Sequence, residues 1–177
     1  MVIPTGHVQD RIVPPPEAAL ALYPLGRAAA ACPSDIVARI SLIRQLGGFE
    51  EHFTGERQLY EDQAFFAKLY QAAPVLYSSR LWLNYRQRPE SCVASVKEAG
   101  RYHAVRRYFL AWLEDYLAAR PAVDPRVAAA LGRAKWRYDH PQLHRFLTLP
   151  ARLRPYLSKA RRKLRRSIRA AALPASR

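Results

Sequence analysis

From Val96 to Ala119 the positions Tyr102, Val105, Phe109, Trp112, Leu113, Tyr116 and Leu117 recur at steps of three and four residues. That spacing places them on one face of an α-helix. An apolar stripe this wide needs a core to pack against, because isolated helices gain most of their stability from tertiary burial. The remainder of the chain can supply that core. It has 177 residues, half of them apolar and 11% aromatic, which suits a single folded domain.

The flanking sequence is punctuated by proline and glycine. Pro4, Pro14, Pro15 and Pro16 make residues 1–16 an extended lead-in without periodicity. A short helix is expected from Glu17 through Leu22, ending before Pro24. Ile36, Ala38 and Ile40 alternate as in a short strand, and Ser41–Leu46 reads as a brief helix stopped by Gly47. Phe65, Phe66, Leu69 and Tyr70 mark a helix over Tyr60–Ala72, with Glu61 and Asp62 in its first turn and Pro74 beyond its end. Val75–Tyr77 and Leu81–Tyr85 read as short strands. Asp124 is an N-cap ahead of Pro125, opening a helix through Val127, Leu131, Ala134 and Tyr138. Pro141 and Pro150 bracket a connector, and a basic helix is expected over about 152–172. The fold class is α/β, rich in helix with few short strands.

No apolar run approaches the ~20 residues of a membrane span. Residues 1–7 lack the basic and apolar regions of a signal peptide. The two cysteines, Cys32 and Cys92, imply no disulfide framework and are expected to be reduced, buried thiols of a cytoplasmic protein. Closely spaced Cys-His ligand pairs are absent, so no protein-held metal is expected.

Chemistry-bearing residues gather between Cys32 and Cys92. A Gly47-Gly48-Phe49 turn precedes the adjacent acids Glu61 and Asp62, and an aromatic-basic segment, Trp82-Leu83-Asn84-Tyr85-Arg86-Gln87-Arg88, follows them. Acids at a helix start are either functional groups or ordinary first-turn acids that favour the helix dipole. Because adjacent helical residues point ~100° apart, only one of the pair can face a given substrate.

The blocks Cys32-Pro33-Ser34-Asp35-Ile36, Leu46-Gly47-Gly48-Phe49-Glu50, Leu59-Tyr60-Glu61-Asp62-Gln63 and Tyr85-Arg86-Gln87-Arg88-Pro89-Glu90-Ser91-Cys92, in this order and spacing, resemble the second half of a family 2 glycosyltransferase. The resemblance covers roughly residues 11–120. It implies the acceptor-side portion of a GT-A fold over 1–120, followed by a helical extension over 121–150 and a basic tail over 151–177. The parent reaction transfers a sugar from a nucleotide sugar to a hydroxyl of a glycan or lipid acceptor. By resemblance Asp62 is the general base, Glu61 its neighbour in the acidic pair, and Gly47, Gly48 and Phe49 shape the acceptor pocket. Arg88 stands where the family often has His. A guanidinium cannot ligate a metal but can pair with phosphate, so Arg86 and Arg88 are expected to meet a diphosphate. Relatives hold a divalent cation, Mg²⁺ or Mn²⁺, through an Asp-x-Asp motif. No Asp-x-Asp occurs in this sequence, so the chain is expected to be a truncated or split form that lacks the donor half and binds no cation alone.

Charge is distributed unevenly. Eleven of the 29 Lys and Arg follow His140, and none of the 14 Asp and Glu do. Within 152–169 nine bases flank an apolar stripe of Leu153, Leu157, Leu164 and Ile168. A basic amphipathic helix suits an anionic membrane surface, which would place the chain peripherally at the membrane; a solvated or frayed tail is the other reading of the same run. Nucleic acid is disfavoured, since Tyr156 is the one aromatic in the run on which a base could stack. A non-catalytic helical module held at a membrane by this tail is the alternative to the glycosyltransferase reading.

Overall fold

The computed structural model describes residues 10–80, 83, 84, 88, 91–148 and 159. The chain divides into two compact units, Met1–Trp136 and Arg137–Arg177. Among the described residues the fold is helix-rich with one small sheet. Strand β1 (Arg11–Val13) pairs antiparallel with β2 (Val75–Tyr77), Ile12 lying opposite Leu76. The helices include α1 (Glu17–Ala21), α2 (Ile40–Gln45), α3 (Glu61–Ala72), α4 (Cys92–Glu98), α5 (Tyr102–Ala118) and α6 (Pro125–Asp139), with 3₁₀ segments at Pro33–Asp35 and Gly55–Tyr60 and a further helical run over 141–148.

Two apolar groups hold the first unit together. One joins α1 and α3 through Ala18, Ala19, Leu22, Phe65, Phe66, Leu69 and Tyr70. The other is aromatic. Phe109 of α5 is fully buried and stacks on Tyr60 with ring centres 4.8 Å apart, while Phe53 meets Phe109 at 6.4 Å and Trp112 edge-on at 5.5 Å. Such pairs add about 0.5–1.5 kcal/mol each beyond area burial. α6 contributes Val127, Ala130 and Leu131 to the buried set.

Several sequence expectations need correction. Gly100 breaks the expected Val96–Ala119 helix: its φ is +69°, its N–H bonds to the Lys97 carbonyl, and Arg101 N–H reaches Val96, closing α4 with a left-handed cap before α5 begins. The lead-in contains β1, which forms because β2 supplies a partner distant in sequence. Residues 36–39 belong to no strand, although Ile36 and Arg39 have extended backbone. Ile36 and Ala38 pack on the α1–α3 core with Val37 outward between them, so the alternation is right and the ladder is missing. Ile40 already belongs to α2. Residues 141–148 form a helix rather than a connector, because a proline at the first helical position costs no hydrogen bond. Cys92 is exposed, and Cys32 is partly buried; both are free thiols. Leu83 and Asn84 lie in no strand, while the rest of that expected strand and nearly all of the 152–172 helix fall outside the described residues.

Replacing Phe109 with Ala is expected to cost about 3–5 kcal/mol of unfolding free energy. Phe146→Ala, at a ring exposed to solvent, should stay within about 0.5 kcal/mol of the parent. Urea denaturation of both variants checks the contrast.

Candidate functional site around the start of α3

The α3 helix begins where the 3₁₀ segment ends. Tyr60 occupies the N-cap position with φ −117° and offers no side-chain cap, being turned instead into the core. Glu61 and Asp62 therefore fall on the first two helical positions, as expected. The Asp62 carboxylate is half-buried, and its Oδ1 accepts from the Gln63 backbone N–H at 2.7 Å. Burial pushes its carboxyl above the usual aspartate value. The hydrogen bonds from Gln63 oppose the shift, and the charge of Glu61 adds to it. Among the described residues no Lys or Arg forms an ion pair with it.

Two neighbours feel this carboxylate. Cys92, the first residue of α4, has its thiol pushed up by burial and then by the charge of Asp62. The Tyr70 phenol, two turns along α3, is raised by burial, with smaller contributions from Tyr77 and Asp62. Phe65 lies three residues from Asp62, hence on an adjoining part of the same helical face. The half-exposed ring of Phe49 (48%) stacks on Phe65 with centres 4.8 Å apart.

The turn carrying Phe49 is built by its two glycines. Gly47 and Gly48 have φ of +74° and +66°, and their N–H groups reach back to the Arg44 and Ile43 carbonyls of α2. Side chains other than glycine are strained in both conformations. Nothing lies within 4 Å of where a Cβ would stand, so the requirement comes from the turn and not from a close neighbour. The next residue, Glu50, receives the Lys68 ammonium at 2.7 Å. Lys68 is buried on α3, and this ion pair locks the turn to the helix that bears Asp62.

Sequence reasoning missed a second cluster. The hydroxyls of Tyr23 and Tyr102 are 2.8 Å apart, that of Tyr60 bonds to Tyr23 and lies 3.5 Å from Tyr102, and Arg106 donates to Tyr23 and to the Pro24 carbonyl at 3.2 Å. Burial, helped by the Tyr102 hydrogen bond, pushes Tyr23 up to about 12. Burial also acts to raise Tyr102, but hydrogen bonds from Tyr23, Tyr60 and Arg106 outweigh it and hold that phenol below its usual value. The cluster ties the loop after α1 and the start of α5 to the residue preceding Glu61. No short motif announces it, since its four members are scattered over 83 positions. The Lys68–Glu50 pair did leave a signal: a lysine flanked by Phe65, Phe66, Ala67, Leu69 and Tyr70 must find a buried partner.

The structure ties the Gly47–Phe49 turn to α3, the helix that begins with Glu61 and Asp62, through the Phe49–Phe65 stack and the Lys68–Glu50 ion pair. Arg88 is exposed; its carbonyl accepts from Ser91 N–H at 3.2 Å at the entry to α4, whose first residue is Cys92. Arg86 lies outside the described residues. Among the described residues no three His, Cys, Asp or Glu side chains converge as cation ligands. No protein-family model, curated protein or solved structure matches the chain.

Asp62→Asn gives a test with a definite sign. Below the ordinary aspartate value of ~3.9 both folded and unfolded chains hold the proton, and the carboxyl costs nothing. As pH rises through the raised native value, the unfolded state releases its proton more readily and stability falls. The Asn variant escapes that loss. Its melting temperature should exceed that of the parent at pH 7, with the difference vanishing near pH 3; a first-turn acid serving the helix dipole alone predicts a lower one. Separately, Glu50→Ala should cost at least about 1–3 kcal/mol by stranding Lys68, measured by chemical denaturation.

Proposed function

We propose that this chain is the acceptor-side part of a family 2, GT-A-type glycosyltransferase, with Asp62 as its general base. One observation carries the reading: a half-buried carboxylate at a helix start, raised in pKa, with no cationic partner among the described residues, on the helix against which the exposed Phe49 ring stacks. A structural carboxylate is normally found ion-paired or solvated. One that is desolvated and unneutralised bears an energetic cost that a proton-accepting role explains. Raising its pKa toward the working pH also strengthens it as a base.

In the proposed reaction an acceptor hydroxyl of a glycan or lipid lies over Phe49, whose ring face suits the C–H surface of a sugar. Asp62 takes the hydroxyl proton while that oxygen bonds to the anomeric carbon of the nucleotide sugar. The bond from that carbon to the diphosphate oxygen breaks, and the nucleotide diphosphate leaves with the bonding pair. Glu61, ~100° around the helix, is a neighbour of this step and takes no part in proton transfer. Gly47 and Gly48 set the position of Phe49, and Arg86 and Arg88 are assigned to the diphosphate side. The nucleotide-binding half, with its Asp-x-Asp cation site, acts together with these elements.

The 177-residue chain by itself is expected to leave UDP- and GDP-sugars unconverted. With a donor half fused or added in trans, transfer should appear. Asp62→Asn should then lower the rate by ~10²–10⁴, whereas Glu61→Gln should leave it nearly unchanged. Radiolabelled sugar transfer checks both variants; an active Asp62→Asn enzyme with a dead Glu61→Gln one would move the base to Glu61.

A further inference from the structure

The helix over 141–148 has an exposed apolar face that neither the fold nor the proposed transfer reaction uses. Leu143, Phe146 and Leu147 are 48%, 72% and 59% exposed. At 100° per residue these three fall within about a 100° arc, with Arg145 on the opposite side of the helix. The helix is internally well formed, His144 N–H bonding to the His140 carbonyl at 2.9 Å and Thr148 Oγ1 to the His144 carbonyl at 2.7 Å. Exposing one large aromatic and two leucines side by side marks an interaction surface, since scattered single residues are the ordinary surface pattern.

Charge selects the occupant. From residue 141 to the C-terminus the sequence holds eleven Lys and Arg and no acid. An apolar helical face followed in sequence by a run of bases matches the acyl and headgroup layers of an anionic bilayer. A protein partner would have to be strongly acidic around an apolar groove. A nucleic acid would use the charge and leave Phe146 and both leucines in water.

We propose that the 141–148 helix docks on anionic phospholipid membrane, burying Leu143, Phe146 and Leu147 among the headgroups while the basic sequence after it is drawn to the surface charge. The inference is independent of the glycosyltransferase reading.

Co-sedimentation of the full chain with vesicles of phosphatidylcholine, with and without about one third phosphatidylserine, tests it. Binding is expected to the anionic vesicles only, and to fall in about 1 M salt, where the Debye length is ~3 Å. Phe146→Ser combined with Leu147→Ser leaves every base in place and should weaken binding at least about tenfold, by removing two insertable side chains. Leu143→Ser alone should weaken it less. Unchanged circular dichroism and melting temperature would show that the fold survives. Undiminished binding by the double variant would overturn the proposal, as would equal binding to neutral vesicles. Tighter binding to a 30-mer RNA that is indifferent to the serine substitutions would overturn it in favour of nucleic acid.

Discussion

The stack of Tyr60 on Phe109 fixes everything that follows from it. It is formed between the last residue of a 3₁₀ segment and the middle of α5, the longest helix among the described residues. Tyr60 is at once the end of that segment, the N-cap of α3 and a member of the Tyr23–Tyr102–Arg106 cluster. Its ring cannot leave the core without vacating a buried aromatic site worth several kcal/mol. The two residues after it are therefore held in one place, and Asp62 inherits a position it would not choose on electrostatic grounds. Its cost is borne by the aromatic packing of a neighbouring residue.

The same logic extends to the turn at Gly47 and Gly48. Two left-handed glycines end α2, and the Lys68–Glu50 ion pair then fastens the turn to α3. Burying a lysine is costly in isolation and is sustained by the carboxylate 2.7 Å away. The charges around α3 are thus divided: Glu50 is matched by Lys68, Arg106 is met by phenols and a carbonyl, and Asp62 is left with amide partners. A carboxylate left in that condition on an otherwise well-matched helix is what sets Asp62 apart from the other acids of the first unit.

Much of this was legible in the sequence because it is local. The start of α3 after Tyr60, its end before Pro74, the Asp124–Pro125 opening of α6 and the Gly47 stop are all written in a few adjacent residues. The failures are of two kinds. Gly100 was overlooked inside a strong apolar pattern, although a glycine between Ala99 and Arg101 carries the usual signature of a left-handed cap. The β1–β2 pair, by contrast, joins residues more than sixty positions apart, and Ile36–Ala38 alternates without a partner; strand pairing is not encoded in either segment alone. The acidic pair and the glycine turn were visible as candidates. What joins them, a buried lysine and an aromatic stack, is tertiary and appears only once α3 has neighbours.

The central claim is that the fold holds Asp62 as an unneutralised, desolvated carboxylate. Titrating its side-chain carboxyl carbon by ¹³C NMR in the folded chain, with Asp62→Asn to identify the resonance, measures this directly. The account predicts a midpoint above the ordinary aspartate value of ~3.9, moving back toward that value in Phe109→Leu, where the support under Tyr60 is loosened. A midpoint at or below ~3.9 in the parent chain would contradict it, because Asp62 would then be a stabilised, first-turn acid of α3.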